Sequence, residues 1–329
     1  MHCELAVPGL FAAAPQARLP ALELLLARGR ASRAAPSTLE QWLAEAFGLD
    51  QPAPAGALTA LAAGLAPGSE LWARADPVHL RLMRDHLVLV PQAAFGLADE
   101  EARTFCDALN RHFSGVLELH ALGEGRWVAR LDEAIRVEAR SALEMAGRDV
   151  NPGSGRDAAA GRLHAIVNEA QMVLHAHAQN EAREARGEPA VNSVWLWGGG
   201  RLPPKPAARW QAVTARDPVA LGLARLSGAR EAAPRPSAAE WLERAPDDGR
   251  HLVVLDALRT PLALSQSEDY RAAMEGLERA WFAPLLAALR AGRVGMVSIH
   301  VPDAGAAFET VRGDLRIFWR RPRPLERYA

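Results

Sequence analysis

Short apolar runs alternate along this chain with longer stretches in which apolar residues recur at helical spacing. Leu5 to Val7 predicts a first strand ending at Pro8-Gly9, and Leu22, Leu25 and Leu26 share one face of a helix over Leu19 to Arg28 that Gly29 stops. Leu39, Trp42, Leu43 and Phe47 follow Ser37-Thr38, which puts a hydroxyl where a helix N-cap is wanted. Gln51 to Gly68 mixes Pro, Gly and Ala and predicts a short helix between two loops.

From Asp76 the period changes. Val78, Leu80 and Leu87 to Val90 predict strands, Ala98 to Phe113 an amphipathic helix, and Val116 to Leu122 with Arg126 to Leu131 a hairpin turning at Gly123-Glu124-Gly125. Together they make a compact β-α-β-β insertion from Ala75 to about Asp132. A break at Asn151-Pro152-Gly153-Ser154-Gly155 precedes a long helix over Ala158 to Arg186, which Gly187 and Pro189 end. Val191 to Trp197 predicts a buried strand feeding a glycine loop, Leu252 to Leu255 and Val294 to Ile299 further buried strands, and Asp269 to Leu289 a helix between them. A last strand-like piece, Asp314 to Trp319, precedes a basic tail, Arg320-Arg321-Pro322-Arg323, that reads as a solvated terminus. This alternation predicts an α/β protein with a mostly parallel sheet flanked by helices. A core of 1–74 and 150–329 would carry a small α+β insertion domain at 75–149.

Composition narrows the function classes. With 329 residues, 49% of them hydrophobic, the chain can bury a substantial core. Lys+Arg 38 against Asp+Glu 39 leaves a net charge of -1, and aromatics make up only 6%, so neither a global field nor a set of stacking platforms points to nucleic acid. Lys205 is the only lysine, so arginine frequency reflects coding bias. Two cysteines, Cys3 and Cys106, make no disulfide framework or Cys-rich zinc site. No basic n-region precedes the apolar N-terminal stretch, and Arg, Glu or Pro interrupts every apolar run before membrane-spanning length. A cytoplasmic protein with no membrane partner is expected.

Several residues could carry chemistry. In Asn192-Ser193-Val194-Trp195-Leu196-Trp197-Gly198-Gly199-Gly200-Arg201 the glycines would let backbone N–H groups approach an anion, with Arg201 adding charge. The competing reading is packing and a turn, since no P-loop lysine follows. His164, Asn168, Gln171 and His175 form a polar stripe at helical spacing that could line a cleft or simply bond neighbouring backbone. His175 and His177 point to different sides and make a poor metal pair. His79, after Asp76-Pro77, suits a ligand contact or a partner for Asp76. Ser37 offers a nucleophile or a helix cap. Asp256, and His300 with Asp303, follow strands where α/β sheets place functional groups. These residues do not supply the five or six ligands that a two-cation hydrolase needs.

Segments throughout the chain resemble the archaeal-type cofactor-independent phosphoglycerate mutases of the alkaline phosphatase superfamily. They resemble more closely a bacterial group of pathogenicity-factor regulatory proteins. The resemblance is carried by Pro20 to Gly29, Gly56 to Gly64, Ala75 to Leu80, the helix Ala98 to Phe113, Asn180, Arg183, Gly187, Pro189, Asn192 with Trp195 to Gly200, and Ala272 to Glu278. It implies an alkaline-phosphatase-like core and a phosphoryl-transfer ancestry. The departures fall on the catalytic loops. Where the mutases place an Asp-Gly metal loop after strand one, this chain has Val7-Pro8-Gly9. Their Asp and His before the late helix become Asp256-Ala257-Leu258-Arg259-Thr260-Pro261-Leu262, and their Asp-His after the next strand is represented by Ser298-Ile299-His300. The Gly-Ala-Thr-Gly segment of the mutases has no counterpart near Ser227 to Arg235.

The resemblance and its departures lead to a catalytically reduced, metal-free relative without a cofactor, binding a phosphorylated small molecule or a protein partner. On this reading Asn192, Trp197, Gly198, Gly199, Gly200, Arg201, His164, Asn168 and His79 contact the ligand, and Asp256 and Asp303 are metal-site remnants. The alternative is an active phosphoglycerate mutase or phosphohydrolase with an altered Mn, Zn or Mg site built from Ser37, Asp256, His300 and Asp303, with Ser37 and His300 catalytic. A third reading is an interaction scaffold with no small ligand, which an exposed apolar patch would favour.

Overall fold

The computed structural model describes residues 1–12, 18–132, 135–137, 139–150, 158–245 and 248–328, with the backbone alone for 158–160. The predicted break at 151–155 and Pro15 lie outside the described residues. In chain order the elements are β1 (His2–Ala6), α1 (Pro20–Arg28), β2 (Arg30–Arg33), α2 (Leu39–Ala46), α3 (Ala55–Ala62), β3 (Leu71–Leu82), β4 (Leu87–Pro91), α4 (Asp99–His112), β5 (Leu117–Ala121), β6 (Trp127–Leu131), α5 (Ala158–His175) and α6 (Ala178–Ala185). There follow β7 (Ser193–Gly200), β8 (Ala212–Thr214), α7 (Pro218–Ser227), β9 (Arg230–Ala232), α8 (Ala238–Leu242), β10 (Arg250–Val254), α9 (Arg259–Ala263), α10 (Ser267–Leu277), α11 (Ala283–Ala291), β11 (Met296–Val301) and β12 (Ala306–Val311). Contacts divide the chain into unit 1, Met1–Pro52 with Lys205–Ala329, and unit 2, Ala53–Pro204. The segment 75–149 lies within unit 2, which also takes in 53–74 and α5 to β7, because β3 pairs with β7 along most of its length.

Unit 1 is an α/β layer structure. Its seven strands run β2-β12-β11-β1-β10-β8-β9. The five from β11 to β9 are parallel, and β12 and β2 add antiparallel pairs at one edge. Cys3, Leu5, Val253, Val297 and Ile299 face a core built with Leu22, Leu25, Met274, Phe282, Leu285 and Leu289. On the opposite face α2 lays Trp42 against His300 of β11, and α7 packs beside α2. Helix α1 has no side-chain N-cap of its own. Instead the Glu278 carboxylate accepts from the N–H groups of Ala21 (2.6 Å) and Leu22 (3.1 Å), satisfying donors that the helix leaves open. Glu278 opens a single π-turn, Glu278–Phe282, which divides the predicted helix Asp269 to Leu289 into α10 and α11.

Unit 2 is a five-stranded antiparallel sheet. β3 pairs with β7 on one side and with β6 and β4 in succession on the other, and β5 extends β6. Helices α4 and α5 cover one face through Phe105, Leu109, Leu163 and Val167, which meet Ala73, Ala75, Val194 and Leu196. α3 covers part of the other through Ala57 and Ala60 against Trp72 and Val128.

Three predicted elements differ in the structure. The long helix is two, because His177 leaves helical geometry and caps α6, its Nδ1 accepting from Gln179 N at 3.1 Å. The glycine triplet is no loop after the strand; it forms the last three residues of β7. Asp314 to Trp319 is not a strand: Asp314 Oδ2 accepts from Val311 N (3.0 Å) and starts a 3-10 turn that leaves Phe318 and Trp319 exposed. Among the described residues no helix is long and apolar enough to cross a membrane.

Candidate functional site

The parallel strands of unit 1 deliver four loops to one end of the sheet: Val7-Pro8-Gly9 after β1, Ala215 to Asp217 after β8, Leu255-Asp256 after β10, and Pro302-Asp303 after β11. This is the edge at which open α/β sheets carry their sites. Ser37 joins them, because its N–H donates to Pro302 O at 2.9 Å. The sequence-predicted Ser37, Asp256, His300 and Asp303 thus share the carboxyl end of one sheet.

Each of these groups has a particular local role or environment. Asp303 Oδ1 accepts from Gly9 N (2.7 Å), and Tyr270 Oη donates to Gly9 O (2.7 Å), so the turn after β1 is tied down on both sides of one residue. Gly9 takes φ +83°, which suits glycine there. Thr38, not Ser37, caps α2: Thr38 Oγ1 accepts from Gln41 N (3.2 Å) and Gln41 Oε1 accepts from Thr38 N (3.0 Å). The Ser37 hydroxyl has no hydrogen-bond partner among the described residues, so no base there is placed to take its proton.

His300 lies on the polar face of β11. By strand alternation that face carries His2 and Glu4 from β1 and Ser298 and His300 from β11. His2 Nε2 meets Ser298 Oγ at 2.8 Å, and the buried Glu4 carboxylate accepts from Arg250 Nε at 2.7 Å. His300 Nε2 is 3.8 Å from Glu4 Oε2, and its ring stands 5.1 Å from Trp42. Burial, the largest influence, lowers the His300 pKa despite the nearby Glu4 carboxylate. Its imidazole is therefore held toward the neutral form.

A buried charge cluster at these strand ends was missed by sequence reasoning in three of its four members. Arg259, at the start of α9, donates from Nη2 to Glu40 Oε1 (2.8 Å), and its Nη1 is 3.5 Å from Asp217 Oδ2. Asp256 adds its charge to both Asp217 and Arg259. Asp217 also caps α7, accepting from Ala220 N at 2.9 Å. Burial, reinforced by Glu40, pushes the Asp217 carboxyl up to about 6, whereas Arg259 holds the buried Glu40 carboxyl below its ordinary range in spite of desolvation. Burial opposes the charge on Arg259, but Glu40 and Asp217 outweigh it and raise its pKa. A guanidinium thus sits among three carboxylates at the strand ends. The available signal was the Asp256-to-Leu262 segment, where an arginine stands in a loop that the resemblance assigns to metal binding.

These residues do not fit a pair of divalent cations. Asp303 is committed to a backbone amide and Glu40 to Arg259, and among the described residues no group of three or more His, Cys, Asp or Glu could hold a metal ion.

The other candidates lie in unit 2. Asn192 bridges to Leu80 in both directions, accepting from Leu80 N (2.7 Å) and donating to Leu80 O (2.9 Å), and His79 Nδ1 meets Ala190 O at 2.9 Å. Trp197 Nε1 donates to Asp76 Oδ2 at 2.6 Å, with Arg74 on the other oxygen at 2.5 Å and 5.5 Å above the indole. A Cβ on Gly198 would lie 2.7 Å from Ala55 Cβ, one on Gly199 2.7 Å from Val137 Cγ2, and one on Gly200 2.6 Å from Pro54 Cβ. The glycines admit the start of α3 and the 135–137 segment to the strand. His164, Asn168 and Arg201 are exposed. Asn180 and Arg183 brace the chain before β7: Asn180 Nδ2 donates to Leu174 O and Val191 O, and Arg183 Nε to Pro189 O.

No protein-family model matches the chain, and no curated protein matches it. Among solved structures it is similar to the PH0037 protein from Pyrococcus horikoshii, at 18% identity and a TM-score of 0.57, over 94% of this chain and 87% of that one. It is also similar to a cofactor-independent phosphoglycerate mutase from Thermoplasma acidophilum, at 20% identity and a TM-score of 0.41, over 95% and 90%. The first likeness shows that the α/β fold is shared across nearly the whole chain.

Proposed function

We propose that this chain is a catalytically reduced relative of the phosphoglycerate mutases that works without a metal, binding a phosphorylated metabolite in a regulatory role. The observation that carries this reading is the position of Arg259. Its guanidinium pairs with Glu40 and Asp217 at the strand ends, in a segment that the sequence resemblance aligns with a metal loop. Carboxylates so engaged compete poorly for a divalent cation, since binding one would first require breaking a buried ion pair. Among the described residues no base accepts a hydrogen bond from the Ser37 hydroxyl, so no neighbour is placed to activate it.

The regulatory part follows the likeness to the pathogenicity-factor group, and the ligand class follows the phosphoryl-transfer ancestry. Among the described residues, exposed large apolar side chains occur as two sequence-adjacent pairs, Leu82-Met83 and Phe318-Trp319, with Val116, Met172 and Leu262 isolated along the chain. Small separate pairs favour a ligand-binding role over a docking scaffold. The test is a phosphoglycerate mutase and phosphomonoesterase assay of purified protein in added Mn, Zn or Mg. The expected result is no turnover with any of the three. Turnover that disappears in Ser37→Ala would establish an active enzyme with an altered site and overturn the reading.

A further inference from the structure

We propose that the groove between β9 and α8 in unit 1 binds a small phosphorylated metabolite through Arg230, Arg235 and Arg244. This rests on the metal-free reading only for the class of ligand, because the groove shares no residue with the Arg259 cluster. It encloses about 350 Å³, a volume suited to a small metabolite. Its three arginines come from different elements: Arg230 opens β9, Arg235 follows that strand, and Arg244 follows α8.

Their convergence matters more than their number in an arginine-rich chain. Among the described residues none of the three guanidinium groups has a hydrogen-bonded or ion-paired partner. Glu231, which also lines the groove, is already spent, accepting from Arg225 Nε (2.7 Å) and Nη2 (2.9 Å). Three like charges around one concavity attract a compact dianion, and the planar fork of arginine matches phosphate oxygens.

The floor is buried and fixed. Trp241 Nε1 donates to Thr214 Oγ1 at 3.2 Å, His251 Nε2 meets Asp248 O at 2.8 Å, and the two rings stand edge-on at 5.8 Å. With Trp241 Nε1 and His251 Nε2 already bonded, the recognition falls to the guanidinium groups of the arginines that line the groove. A ligand would therefore be held by charge and by forked hydrogen bonds, with the phosphate toward the arginines.

The test is calorimetric titration of the full chain with pyrophosphate and with 3-phosphoglycerate at low salt, repeated in Arg235→Ala, Arg244→Ala and the double variant. All three arginines are exposed, and melting curves check that the variants fold. The expected result is saturable binding that weakens about tenfold for each arginine removed and declines with added salt. Absence of saturable binding, or binding unchanged in the double variant, overturns the proposal. Failure here with no turnover leaves the metal-free reading intact. Turnover lost in Ser37→Ala sinks that reading and leaves the groove standing if titration still follows Arg235 and Arg244.

Discussion

The two places where the sequence most invites a functional reading are built on opposite principles. On β7 the Gly198-Gly199-Gly200 triplet is filled from outside: Ala55, Val137 and Pro54 each occupy the space where a side chain would stand. At the strand ends of unit 1 charge is concentrated, with Arg259 set among Glu40, Asp217 and Asp256. Glycines without a charged partner on this chain mark close packing. An arginine paired with buried carboxylates marks an ion-pair cluster at the strand ends.

The largest effect expected from this contrast comes from removing its charged centre. Arg259→Ala leaves the Glu40 and Asp217 carboxylates buried and unpaired, and is expected to cost about 3–5 kcal/mol in chemical denaturation. A cost below about 1 kcal/mol would mean that the carboxylates are solvated and the cluster is not a buried one. Next is Gly198→Ala, which would force a side chain into φ +60° and against Ala55. A loss of about 2–4 kcal/mol is expected from strain and overpacking together. If it is tolerated, β7 has room beside α3 and the packing reading of the triplet fails.

The cluster should also respond to pH. Asp217 holds its proton up to about pH 6 in the fold, against an ordinary value of 3.8, so the native state binds more protons than the unfolded chain between those values. Its contribution to stability is fully present below pH 3.8 and is lost as pH rises through 6. That loss is on the order of 2–3 kcal/mol. Glu40, with its pKa lowered, works in the opposite sense, contributing above pH 4.5 and losing that contribution as pH falls through its folded value. Urea titrations of native protein and Asp217→Asn should therefore draw apart in favour of the variant from pH 4 to pH 6.5; parallel curves would remove Asp217 from the account. The smallest contrast is at the start of α2. Thr38→Ala should cost about 1 kcal/mol through the lost cap, and Ser37→Ala within about 0.5 kcal/mol, measured by thermal unfolding.

Much of the fold was legible in the sequence because its signals are local. The runs at Leu5, Leu252 and Val294 gave the central parallel strands, and the hairpin at Gly123 to Gly125 is marked by its turn residues. β2 and β12 were not legible. Arg30 to Arg33 is an exposed polar edge strand with no alternating pattern, fixed by its pairing with β12. The glycines of β7 were read as a loop because only tertiary packing shows why a strand would lack side chains there. Asp256, His300 and Asp303 could be placed at one sheet edge because strand ends can be predicted from the strands, whereas Ser37 was singled out by its place before a helix. Glu40, Asp217 and Arg259 were missed because their meeting depends on three segments more than 40 residues apart, and arginine abundance hid the one that matters.

In the proposed function Arg259 serves as the cation at the strand ends. Calorimetric titration of Mn²⁺ into the native chain near neutral pH tests this directly. No saturable heat is expected, because Glu40 is engaged by Arg259 and Asp303 by the Gly9 amide. Stoichiometric Mn²⁺ binding to the native chain, abolished by Asp217→Asn or Asp256→Asn, would contradict it.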